Sequence, residues 1–129
     1  MKLAQTEVYE VATFYSHFDV VREGEDAPPE LTLRVCDSLT CEMMGAQSLL
    51  KDLAANYGKQ VRVLNAPCMG RCDVAPVVEV GHNHVTSATV ETVAAAVDSN
   101  NIHAEMPDYK DFDAYNADGG YKFLEACRS

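Results

Sequence analysis

The sequence is poor in positive charge. Ten Lys and Arg stand against twenty Asp and Glu, for a formal net charge of -10. Phosphate binding needs a basic face, so nucleic acid is not an expected partner, and anionic membrane surfaces are disfavoured. No apolar stretch approaches the length of a membrane span, and the opening MKLAQTEVYEV has no signal-peptide core. These absences set the expectation of an intracellular, cytoplasmic chain without direct membrane insertion, peripheral to a membrane only through a complex. There is no G-x-G-x-x-G and no phosphate-cradling loop, so dinucleotide binding by this chain is not expected. There is also no C-x-x-C of the thioredoxin redox type. Asp37, Ser38 and His17 form no hydrolase signature, since nothing orients a nucleophile and a base together.

What is present is a core. Of 129 residues, 47% are hydrophobic, enough for one compact domain and too many for a disordered chain. Thr6 to Tyr15 places Val8, Val11, Ala12 and Tyr15 on one helical face, with Thr6 as N-cap. Arg22 to Glu30 is polar, carries a Pro pair and reads as a surface loop. Leu31 to Val35 alternates and predicts a strand ending at Cys36. Met43 to Tyr57 has helical spacing and is stopped by Gly58, and Val61 to Leu64 is a second strand before the Pro67-Cys68 corner. Pro76–Val80 and His84–Thr86 form two strands turned at Gly81-His82-Asn83, and Ser87–Asp98 a last helix facing inward through Val90, Val93, Ala94 and Val97.

The expected fold class is α/β, a small mixed sheet of about four strands flanked by helices in the thioredoxin-like manner. Residues 1–30 then form an N-terminal helix and loop, 31–98 the body, and 99–129 a linker or tail. In that tail, Gly119 to Cys127 reads as the opening turn of one more helix. Cys36 and Cys68 both follow strands. If those strands are parallel neighbours, both cysteine loops leave the same edge of the sheet, where α/β proteins place their sites.

Five cysteines in an intracellular chain are read as ligands, catalytic thiols or core residues before disulfides. Cys36 and Cys41 are spaced C-x4-C, and Cys68 and Cys72 C-x3-C. Each iron of a [2Fe–2S] unit needs two protein thiolates, and two short loops with a close pair apiece meet that need. Four-cysteine zinc sites favour tight C-x2-C knuckles, absent here, although thiolate alone does not choose between iron–sulfur, zinc and copper. Small or polar loop residues (Asp37, Ser38, Thr40, Gly70) let backbone N–H groups approach the sulfurs and tune them, while Leu39 and Met69 are placed to shield the site. On pattern alone, buried structural cysteines, a zinc site and a redox disulfide stay open beside the cluster.

The motifs carry a resemblance. Glu7-Val-Tyr-Glu-Val-Ala-Thr-Phe-Tyr15, Val35-Cys36-x4-Cys41 with Gly45, and Ala66-Pro-Cys68-Met-Gly-Arg-Cys72-Asp-Val-Ala-Pro76-Val make the chain similar to the thioredoxin-like [2Fe–2S] subunit of respiratory complex I. Its relatives in NAD-linked formate dehydrogenases and hydrogenases share the likeness, which spans residues 5 to 98. By this resemblance, Cys36 and Cys41 hold one iron, and Cys68 and Cys72 the other. It further implies single-electron transfer beside the FMN of an NADH-oxidising module. FMN and NAD then belong to the parent complex and are not bound by this chain. The implied partners are the flavoprotein domain or subunit and other iron–sulfur subunits. The first helix corresponds to the end of the family's helical bundle. Asp111 to Leu124 is similar to the entry into the flavoprotein, as in a fused diaphorase subunit. The reading that competes is a zinc-bound or metal-free scaffolding domain of such a complex.

Arg71, between two ligands, is expected to stabilise the reduced site and raise its potential. Four cysteines already complete a ligand shell, so His82 and His84 read as turn and strand residues, and His17 and His103 carry no spacing signal. Pro76 stands where thioredoxin-like folds often have a cis-proline, which sequence does not settle. Cys127 stands outside the ligand set, a free thiol capable of linking a homodimer.

Overall fold

The computed structural model describes residues 3–15 and 17–128. The chain runs α1 (Gln5–Phe14), β1 (Thr32–Cys36), α2 (Leu39–Met43), α3 (Ala46–Tyr57), β2 (Arg62–Ala66), a 3-10 turn (Cys72–Val74), β3 (Val78–Val80), β4 (Asn83–Val85), α4 (Val90–Asp98), α5 (Phe112–Ala117) and α6 (Lys122–Arg128). One mixed sheet has the order β2-β1-β3-β4, with β1 parallel to β2 and antiparallel to β3. This is the expected four-stranded α/β architecture.

The core forms where apolar strand positions meet the inner faces of α3 and α4. Leu33 and Val35 of β1, Val78 and Val80 of β3, Leu49 and Leu53 of α3, and Val93 of α4 are buried together. The other face of β1 departs from the common pattern. A strand of alternating apolar and polar residues commonly turns its polar side to water, yet Thr32 and Arg34 are both buried, at 8% and 6% exposure. Register places Arg34 opposite Glu79, and Glu79 opposite His84, so a polar row crosses the sheet. The chain after α1 lies over that row: His17 contacts Glu79, and Asp19 pairs with Arg62 through two 2.7 Å hydrogen bonds.

Boundaries shift for local reasons. Helix α1 starts at Gln5, and Ala4 rather than Thr6 is its N-cap, with the Glu7 carboxylate accepting the Ala4 N–H at 2.9 Å. Its predicted apolar face stays largely exposed at Val8, Val11 and Tyr15, although the Tyr15 ring meets Phe18 edge-on at 5.9 Å. The helix expected from Met43 to Tyr57 starts instead at Ala46, after Gly45, whose φ of +94° is open to glycine at little cost, and the unforeseen short α2 precedes that break. The last helix begins at Val90, because Thr89 caps it by accepting the Thr92 N–H. The tail forms two short helices, α5 and α6, in place of a single opening turn, and neither buries a residue.

Candidate iron–sulfur site

Parallel pairing aligns Cys36 with Ala66, so the C-terminal ends of β1 and β2 lie side by side. The two cysteine loops leave from that edge. Cys36 is the last residue of β1, and Cys41 sits in α2 directly after it. Cys68 follows β2 by two residues, and Cys72 opens the 3-10 turn. Cys36 and Cys41 are each 2% exposed, while Cys68 and Cys72 are exposed, and all are free thiols. The site therefore has a buried half and a surface half.

The loops are stitched together by backbone. The Cys36 N–H donates to the Val77 carbonyl and the Asp37 N–H to the Ala66 carbonyl, both at 3.0 Å. The peptide between Ala75 and Pro76 is cis. Burial alone would raise the Cys36 thiol, yet it is held below its ordinary value. The Ser38 and Met69 N–H groups donate to it, with the Cys41 thiol and the Ser38 hydroxyl. Met69 belongs to the second loop, so one sulfur receives donors from both. Cys41 is pushed the other way, by burial first and then by Cys36 and Cys72 as neighbouring thiolates, against a Val77 N–H. Cys41 thus feels a sulfur of each loop. Cys36 and Cys72 both act on Cys41, Cys68 stands in the same loop as Cys72 beside Met69, and Cys127 is far along the tail in α6.

The residues expected to tune or shield the sulfurs lie in or beside the two loops. Gly70, at φ +72°, aims its N–H at Cys68 Sγ from 3.4 Å. Ser38 occupies the N-cap position of α2, but its side chain makes no capping bond and serves Cys36 instead. Arg71 Nε donates to His84 Nδ1 at 3.2 Å, which fixes the guanidinium between the second loop and β4. Met69 packs against the core, whereas Leu39 is 74% exposed and shields nothing within this chain. Sequence reasoning missed the Met69 and Val77 N–H donors and the partnership of His84 with Arg71. All three are contacts across the fold, with no local pattern to announce them.

The donor set fits a [2Fe–2S] group: four unpaired thiols in two close pairs, from two loops, with N–H groups aimed at sulfur. Zinc is also thiophilic, so the fit rests on the loop spacing as well as the ligand type.

Comparison with known proteins agrees with this reading. The NADH-quinone oxidoreductase subunit 2 of Thermus thermophilus is 31% identical over 105 residues, covering 71% of this chain and 55% of that protein. Another NADH-quinone oxidoreductase subunit, from Rhizobium meliloti, is 29% identical over 98 residues, covering 67% and 55%. The chain thus spans about half the length of these relatives. In fold it is similar to part of an NAD+-reducing [NiFe]-hydrogenase in the H2-reduced state, with a TM-score of 0.60. That match is 18% identical and covers 81% of this chain and 18% of that one. The family described as thioredoxin-like [2Fe-2S] ferredoxin matches residues 1–101, and the chain belongs to it.

Proposed function

We propose that Cys36 and Cys41 hold one iron, and Cys68 and Cys72 the other, of a [2Fe–2S] cluster. We further propose that the chain relays single electrons within an NAD(H)-linked oxidoreductase complex. The observation that carries this reading is that parallel β1 and β2 send both cysteine loops off one sheet edge, where the Asp37 N–H of the first loop binds the Ala66 carbonyl at the root of the second.

Bound there, such a cluster supplies a reversible one-electron centre. The protein's own residues set its terms. N–H groups from Ser38, Met69 and Gly70 stabilise negative charge on the sulfurs. Cys36 and Cys41 lie at the core, so water reaches that half poorly, while Cys68 and Cys72 lie at the surface and provide the exit side. Exposed Leu39, Met43 and Met44 surround the first loop and supply an apolar rim for docking. The partner proposed for that rim is a flavoprotein that oxidises NADH, because the relatives are named as subunits of NADH-quinone oxidoreductases. Residues 31–98 are the relay body in this proposal, and 99–129 lead towards the flavoprotein.

Individual Cys→Ser substitutions at positions 36, 41, 68 and 72 test the ligand set. Each is expected to reduce iron retention and visible absorbance after anaerobic reconstitution, and Cys127→Ser to leave both unchanged. Full retention in any of the first four variants would remove that residue from the set.

A further inference from the structure

Beside the second cysteine loop, the polar face of the sheet collects imidazole and carboxylate groups from distant parts of the chain, and His17 and Glu79 line one cavity with Cys68 and Met69. His17 comes from the loop after α1, Glu79 from β3, His82 from the β3–β4 turn and His103 from the segment after α4. His17 Nε2 lies 3.2 and 3.1 Å from the two Glu79 oxygens. The ligand atoms of His17, Glu79 and His82 all fall within 4.8 Å of one another. The His17 and His82 rings stack with centroids 6.0 Å apart, and His103 stacks on His82 at 6.5 Å. The turn is locked to the segment carrying His103: the His82 N–H donates to the Ile102 carbonyl at 2.8 Å, and the Asn83 amide to the Asn101 carbonyl at 3.1 Å.

We propose that His17, Glu79 and His82 form a binding site for a divalent transition metal of the zinc class, next to the second cysteine loop but with no cysteine among its ligands. Imidazole nitrogen and carboxylate oxygen are ligands for such ions at about 2.0–2.2 Å, so two of them on a tetrahedral ion lie roughly 3.3 Å apart. His17 and Glu79 already have nearly that spacing, and His82 closes from within 4.8 Å by side-chain rotation. Glu79 is buried and anchored in a strand, whereas His17 and His82 are exposed and leave an entry path. The fourth position falls to water or to His103. Arg34 works against the ion, since its Nη1 lies 3.6 Å from Glu79 Oε2. Its contact with Glu79 is an ion pair beyond hydrogen-bond distance, so a metal–carboxylate bond competes with a weak contact. A metal here joins the loop after α1 to the sheet, and its binding energy becomes stability of the fold.

The test uses the full chain without an affinity tag, its cysteines loaded with iron and sulfide, dialysed against Zn2+. Iron and zinc are counted in the same samples, so zinc entering the cysteine site registers as lost iron. One zinc per chain is expected beyond the iron, with affinity falling at least tenfold in His17→Ala and in His82→Ala. His17→Gln, which keeps a donor for Glu79 but is a poor ligand, is expected to lose the zinc and keep the metal-free melting temperature. Zinc is expected to raise that temperature in the parent alone. No zinc uptake beyond the iron site, or equal uptake in the histidine variants, would overturn the proposal.

Discussion

The chemistry of the cysteine site is decided at single residues, and its two buried thiols are set against each other. Cys36 sits below its ordinary value of 9.0 because, against burial, the N–H groups of Ser38 and Met69 act together with the Cys41 thiol and the Ser38 hydroxyl, and Cys41 sits above it. The sign follows for the metal-free chain. Stability from Cys36 is complete above the ordinary thiol value and is lost as pH falls through its lowered one. Cys41 disfavours the fold as pH rises from the ordinary value through its raised one. An absorbance titration of thiolate in metal-free protein is expected to lose its lower-pH step in Cys36→Ser and to keep it in Cys41→Ser. The reverse order would show that the Met69 donor does not reach the sulfur. Arg71→Ala is expected to lower the midpoint potential by about 20–40 mV, the one-electron equivalent of roughly 0.5–1 kcal/mol between exposed charges. His84→Ala, which removes the Nδ1 acceptor, should shift it less; an unchanged midpoint in both would make Arg71 a solvated side chain. The two cysteine pairs narrow the site to a few chemistries through residue type and spacing, and only the motifs flanking them, by resemblance, single out the cluster. Leu39 was not legible in this way, because its direction depends on α2, a five-residue helix with no periodic signal of its own.

At the scale of elements, strands and helices with buried faces were readable, and what covers each face was not. The spacing of α4 predicted Val90, Val93 and Val97 as inner residues because the helix packs on the sheet, but took Ala94 in place of the buried Ala96. The alternation of β1 did not reveal its cover, because a strand covered on both faces can still carry polar residues when a second layer satisfies them. That layer is held partly by Asp19, whose carboxyl is kept below the usual range by hydrogen bonds from Arg62. Its contribution is present above pH 3.8 and lost as pH falls through the lowered value. Asp19→Asn is therefore expected to cost about 0.5–1 kcal/mol in urea unfolding at pH 7, and less in acid below that range, since the pair is partly solvated. Gly45 tests the break between α2 and α3. A methyl there meets nothing within 4 Å, so Gly45→Ala measures backbone strain alone, about 1–2 kcal/mol. A neutral result would mean the junction relaxes.

For the whole molecule, the described fold divides into a sheet-centred body and a tail whose helices bury nothing. Ile102 is the last residue packed on the core, so removing residues 105–129 is expected to leave the melting temperature unchanged. The helix–strand order made this body legible, and the parallel β1–β2 pair then placed both cysteine loops on one edge. The histidine cluster had no such route, since 62 residues separate His17 from Glu79. The electron relay stands or falls at the cysteine edge, and the most direct measurement is iron and acid-labile sulfide analysis with EPR on protein purified without oxygen. Roughly two irons and two sulfides per chain are expected, with a signal that appears on reduction. Protein that takes up no iron after reconstitution, or that holds zinc at the four cysteines in its place, would contradict the relay.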